Sequence, residues 1–151
     1  MKGMSLIVKQ VTKLVVGFIF LFAAYIVLYG HLTPGGGFAG GVIAACAFIL
    51  LVLAFGKEFV NAFISDPAFS VWDCIGALGF LLVALAGYLG GTFFYNLIAK
   101  PVSFKLWSAG IIPLANVAIG IKVAAGLGGV FVALVAFRVA GDIATKEKAQ
   151  P

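Results

Sequence analysis

Four long apolar runs, almost free of charge, constrain this chain more than any other feature. They cover about residues 14–29, 38–55, 72–89 and 114–137. Each approaches the roughly 20 apolar residues that a helix needs to cross a hydrocarbon core of about 30 Å. Of 151 residues, 64% are apolar and 10% charged, whereas a soluble domain is about 45–50% apolar and about 25% charged. No soluble fold of this length can cover so much apolar surface, so its solvent is lipid. The expectation is an all-α integral membrane protein, a single membrane domain of four transmembrane helices in the cell membrane.

The basic residues carry topology rather than a binding surface. With a cytoplasmic N-terminus, Lys2, Lys9, Lys13, Lys57, Arg138, Lys146 and Lys148 fall inside, and only Lys100 and Lys105 fall outside. That bias predicts both termini in the cytoplasm. Scattered among apolar segments, these charges do not form the massed patch that nucleic acid requires. The N-terminal run is too long and too poor in cleavage signals for a removed signal peptide. Cys46 and Cys74 have no metal or redox spacing and read as small buried apolar residues. A long mixed loop, with Pro101 and Pro113, joins the third and fourth spans, and Ser70 is a candidate N-cap for the third. The aromatics Tyr29, Trp72, Tyr88, Phe93, Phe94, Tyr95 and Trp107 read as interfacial anchors.

Between the first two spans lies "YGHLTPGGGFAGG", residues 29–41, with the one histidine of the chain. Residues 35–40 formally match a dinucleotide-binding G-x-G-x-x-G. That fingerprint needs a preceding strand and a βαβ unit, and here membrane spans flank it. The local reading is a helix start in which Thr33 caps and Pro34 occupies the first turn. Three successive glycines exceed what a turn needs, since each weakens a helix by about 1 kcal/mol relative to alanine. Two readings remain for Gly35, Gly36, Gly37, Phe38, Gly40 and Gly41: tight helix packing, or backbone beside an ion or water path. His31 is either an interfacial polar residue or a proton carrier, since its ordinary pKa lies near neutrality.

Lys122 interrupts the fourth span, six residues after Asn116. A lysine at helix centre costs about 2.5–3.5 kcal/mol on insertion scales, so it either snorkels to the nearer interface or faces protein. The acids are Glu58, Asp66, Asp73, Asp142 and Glu147, all expected near the cytoplasmic side. Asp73 is expected at the inner start of the third helix and Lys122 in the outer half of the fourth, at depths that do not match. With no carboxylate of its own at mid-membrane, the chain is not expected to transport ions alone. Lys122 would then work through water or pair with an acid of another subunit.

The match at Gly30, His31, Pro34, Gly35, Gly36, Gly37, Phe38, Gly40 and Gly41 resembles the Gly-His-x-x-Pro-Gly-Gly-Gly-Phe-x-Gly-Gly signature of the B subunit of Mrp-type multisubunit sodium/proton antiporters. The stretch around Asn116 and Lys122 is similar to that family's last helix. The resemblance implies a small four-helix subunit lodged among antiporter-like membrane subunits, with sodium ions and protons as transported species. It extends to counterpart subunits of membrane-bound hydrogenases and related respiratory complexes. The expected function is a non-catalytic subunit that helps build a sodium or proton path, with His31, Pro34, Gly35, Gly36, Gly37, Phe38, Gly40, Gly41, Asn116 and Lys122 as candidate residues. The rival is a spacer that joins modules and touches no ion. No nucleophile–base pair, metal-ligand cluster or cofactor motif points to an enzyme or a bound cofactor.

Overall fold

The computed structural model describes residues 4–56, 65–98 and 108–148, with the side chains of 66 and 139–148 excepted. Among these residues it contains four long α-helices: α1 Leu6–Tyr29, α2 Gly37–Phe55, α3 Asp66–Ala86 and α4 Ile112–Lys148. Each contains a segment long and apolar enough to cross a membrane. The helices pack in the spatial order α1, α2, α4, α3, so α4 is held between α2 and α3. Phe48 of α2, Phe69 of α3 and Val132 of α4 meet in a small core with Val52. There the Phe48 and Phe69 rings pack edge to face at 4.9 Å.

Several boundaries differ from the sequence reading. α1 begins at Leu6, before the expected span, because Lys9 and Lys13 need not leave the helix: their ammonium groups lie over the Phe55 ring, at 5.9 and 5.8 Å from its centroid. α3 begins at Asp66 with Ser65 as N-cap and Pro67 in the first turn, so Ser70 is inside the helix and caps nothing. Pro67 is placed as proline is favoured, where its missing N–H would have had no helical partner. Trp72 consequently lies about two turns inside α3, away from its end, while Trp107 falls outside the described residues. Cys46 and Cys74 are exposed on the bundle's outer surface, contrary to the expectation of burial. In lipid an outward-facing small apolar side chain costs nothing, so hydrophobicity alone does not point a residue inward.

After α3 the chain makes a 3-10 turn, Gly87–Gly90, and folds back so that the Phe94 N–H donates to the Ala84 carbonyl at 3.3 Å. Asn96 then fastens this segment to the start of α4. Its amide donates to the Ala109 carbonyl and its oxygen accepts from the Ile111 N–H, both at 3.2 Å.

Candidate functional site

The glycine segment closes the turn between α1 and α2, and its geometry explains the number of glycines. α1 ends at Tyr29, whose carbonyl accepts from the Thr33 N–H and the Thr33 hydroxyl, both at 3.0 Å. Thr33 therefore finishes α1 rather than capping α2, which corrects the sequence reading. Pro34 is likewise outside the helix, for α2 begins at Gly37 with Gly36 as N-cap. The intervening Gly35 and Gly36 have φ of +149° and +98°, values that side-chain-bearing residues rarely adopt. No strand precedes the segment: α1 does, so the dinucleotide-binding geometry is absent from it.

The other glycines serve close packing. A Cβ on Gly37 would stand 2.9 Å from Asn116 Cα and from Ile119 Cβ, and would overlap the Asn116 carbonyl. A Cβ on Gly41 would stand 2.7 Å from the Gly120 carbonyl oxygen and 2.8 Å from Val123 Cβ. Gly37 and Gly41 thus form the α2 face that meets α4. Gly40 faces the other way, where a Cβ would stand 2.9 Å from the Ala23 carbonyl of α1 and overlap Val27. In lipid, where hydrophobic burial does not drive helices together, such small faces allow the close contact that does. Beside this seam is a groove of about 350 Å³ between α1, α2 and α4, lined by Phe20, Ala24, Val27, Ala44, Gly120 and Ile121 among others, all apolar or glycine. Such a lining offers water and ions no polar partner.

The structure brings part of the candidate set together. Asn116 lies at the turn, its side-chain oxygen 3.6 Å from where a Gly36 Cβ would be. His31 is half-buried in the same turn, and Phe38 projects outward, 66% exposed. Lys122 does not join them. It occupies another face of α4, against α3, where a Cβ on Gly76 would stand 2.7 Å from the Lys122 backbone nitrogen.

There Lys122 Nζ donates to both carboxylate oxygens of Asp73, at 2.9 and 3.1 Å. This overturns the expectation that their depths do not match and that Lys122 needs an acid from another subunit: Asp73, within the third span as expected, meets it. Because α3 begins at Asp66, Asp73 is its eighth residue. In the candidate span starting at Pro67 it lies about 9 Å from that end, at 1.5 Å per residue. Lys122 lies about 15 Å from the start of its own span at Ile112 by the same measure. The antiparallel helices bring these two levels together. The lysine chain runs toward Asp73 and not toward the Ile112 end of its own helix, the direction in which it would snorkel to the expected outer face. The pair is half-open, with side-chain exposures of 48% for Lys122 and 37% for Asp73.

Asp73 is the residue that the sequence reading discarded, and the signal for it was present. Gly76 is the clearance the pair uses, since a Cβ there would crowd the Lys122 backbone, and Gly126 lies beside the Asp73 carboxylate. Asn96 was also missed, although an amide within an aromatic loop has to find partners. Among the described residues, no group of three or more His, Cys, Asp or Glu is placed to hold a metal ion.

Residues 7–129 match the family model described as a domain related to the MnhB subunit of Na+/H+ antiporter. The chain belongs to the MnhB family. This MnhB-family chain is 43% identical over 112 residues to the uncharacterized protein MJ1307 of Methanocaldococcus jannaschii, covering 67% of itself but only 41% of that protein. It is 35% identical over 96 residues to the putative antiporter subunit mnhB2 of Staphylococcus saprophyticus, covering 64% of itself and 68% of that relative. Among solved structures it is similar to a chain of the membrane-bound sulfane sulfur reductase, an archaeal respiratory membrane complex. There the TM-score is 0.70 and the identity 32%, over 85% of this chain and 59% of the other. The MnhB-family chain thus spans less than two thirds of MJ1307 and of the reductase chain. Its family and its four apolar helices make it a multi-pass membrane protein, and the resemblance carried by the glycine segment is borne out.

Proposed function

We propose that this chain is a non-catalytic membrane subunit of a multisubunit sodium/proton-translocating assembly and contributes to a sodium or proton path there. The assembly is either a dedicated antiporter or a respiratory complex, the two settings in which its relatives are named. The observation that carries the reading is the Asp73–Lys122 pair within the spans. Ionisable groups at such depth are costly, pair with one another, and mark ion and proton routes. Both termini lie in the cytoplasm in this reading, which the seven-to-two bias of lysine and arginine supports. His31, Asn116 and the glycine turn then lie at the outer face, with Pro34 and Phe38 beside them.

The spacer reading also has an observation in its favour. The glycines at 37, 40 and 41 are accounted for by helix contact, and the adjoining groove is apolar. The glycine segment on this view builds the bundle, and ion handling belongs to the charged seam. Lys122→Ala and Asn116→Ala in the assembled complex separate the two readings. Loss of sodium-dependent proton transport per assembled complex, whatever the yield of complex, supports the ion path. Unchanged transport in both variants defeats it and leaves the spacer.

A further inference from the structure

We infer that the open side of the Asp73–Lys122 pair is a docking surface for a transmembrane helix of a different subunit, one that presents a hydrogen-bond acceptor or carboxylate to Lys122. The inference rests on the proposed membership in a multisubunit assembly and names the face by which the chain joins it.

An ammonium carries three N–H donors, and among the described residues only the two Asp73 oxygens accept from it. At least one donor therefore points away from the chain. Nearly half of the lysine side chain is uncovered, at a depth where the surroundings are hydrocarbon unless protein covers them. Neither helix can roll to hide the pair. Gly76 already brings the α3 backbone against Lys122, with a Cβ there at 2.7 Å from its nitrogen and 2.9 Å from the Ala118 carbonyl. A lipid phosphate is out of hydrogen-bond reach: the ammonium lies at the level of Asp73, about 9 Å of helix from the Pro67 end of that span. The cover is then a protein segment at membrane depth, with an acceptor for the remaining donor.

The rim suits a helix. Ser70 and Ala77, one turn either side of Asp73, are exposed, and Gly126 of α4 lies beside the Asp73 carboxylate. Small side chains around a charged centre let another backbone approach closely enough for its side chain to reach Nζ.

The test uses the whole complex in its native membrane, with a photo-crosslinking phenylalanine derivative at Ala77, which leaves the ion pair in place. The expected adduct joins this chain to a different membrane subunit. Adducts with lipid only, or with a second copy of this chain, overturn the inference. In parallel, Lys122→Gln is expected to reduce co-purification of the neighbouring subunits at least five-fold, and Lys122→Arg to restore most of it. If Lys122→Gln keeps its neighbours but abolishes transport, the docking surface is wrong and the ion path stands. If it changes neither, both are wrong. Should Lys122→Gln fail to accumulate, the Ala77 crosslink decides alone.

Discussion

The two seams of α4 use the same device for different ends. Against α2, Gly37 and Gly41 bring the helices together beside Gly120 and the Asn116 backbone, and the neighbouring groove is apolar. Against α3, Gly76 achieves an equally close approach, yet the seam ends in a half-open ion pair. Glycine spacing therefore identifies where helices meet in this protein without saying what the meeting is for. The charges distinguish them: the α3–α4 seam carries a lysine and an aspartate in contact, whereas the contacts of Gly37 and Gly41 across the α2–α4 seam are with backbone and apolar side chains.

Four substitutions break or sharpen that contrast. Gly37→Leu has the largest effect, because its side chain would have to occupy the space of Asn116 and Ile119. Overpacking of this kind costs on the order of 3 kcal/mol, and the α2–α4 seam should part. A loss of monodisperse subunit in gel filtration reports it, whereas a stable, well-behaved variant would show that this seam is not needed. Lys122→Ala comes next. It strands the Asp73 carboxylate, at a cost between the about 0–1 kcal/mol of an exposed pair and the about 3–5 kcal/mol of a buried one. Thermal unfolding in detergent should show a moderate loss, and the double variant Asp73→Asn/Lys122→Ala should recover part of it. Without recovery, the pair is not what holds the α3–α4 seam.

Asn96→Ala tests a tie outside both seams. Removing its two bonds to the start of α4 should lower stability by about 1–2 kcal/mol and leave transport unchanged. A transport defect would place the loop in the ion path after all. Thr33→Val is the smallest. It deletes one bond to the Tyr29 carbonyl, worth under about 1 kcal/mol, and α1 should merely fray at its end, seen as faster amide exchange there.

Much of this was legible beforehand. Four apolar runs gave four helices because a chain in lipid must satisfy its backbone internally, and helix is the local way to do so. The family was legible in residues 30–41, since glycines that no side chain can replace leave a fixed pattern. Boundaries were less legible. Lys9 and Lys13 looked like the end of a span but lie within α1 over the Phe55 ring. Proline was assigned to a first turn at Pro34, and the structure does that at Pro67. The two sites are alike in local sequence cues. They differ in the positive φ of Gly35 and Gly36, which postpones α2 to Gly37.

By itself the sequence determined the solvent, the number of spanning helices and the family, because these depend on local composition and on short contiguous motifs. Only the tertiary structure decided which residues share a site. It placed Asn116 at the glycine turn and sent Lys122, six residues later, to Asp73 on the opposite seam. Six residues of α-helix rotate a side chain well away from its starting face, and the depth at which antiparallel helices match is set by their packing and not by their order along the chain.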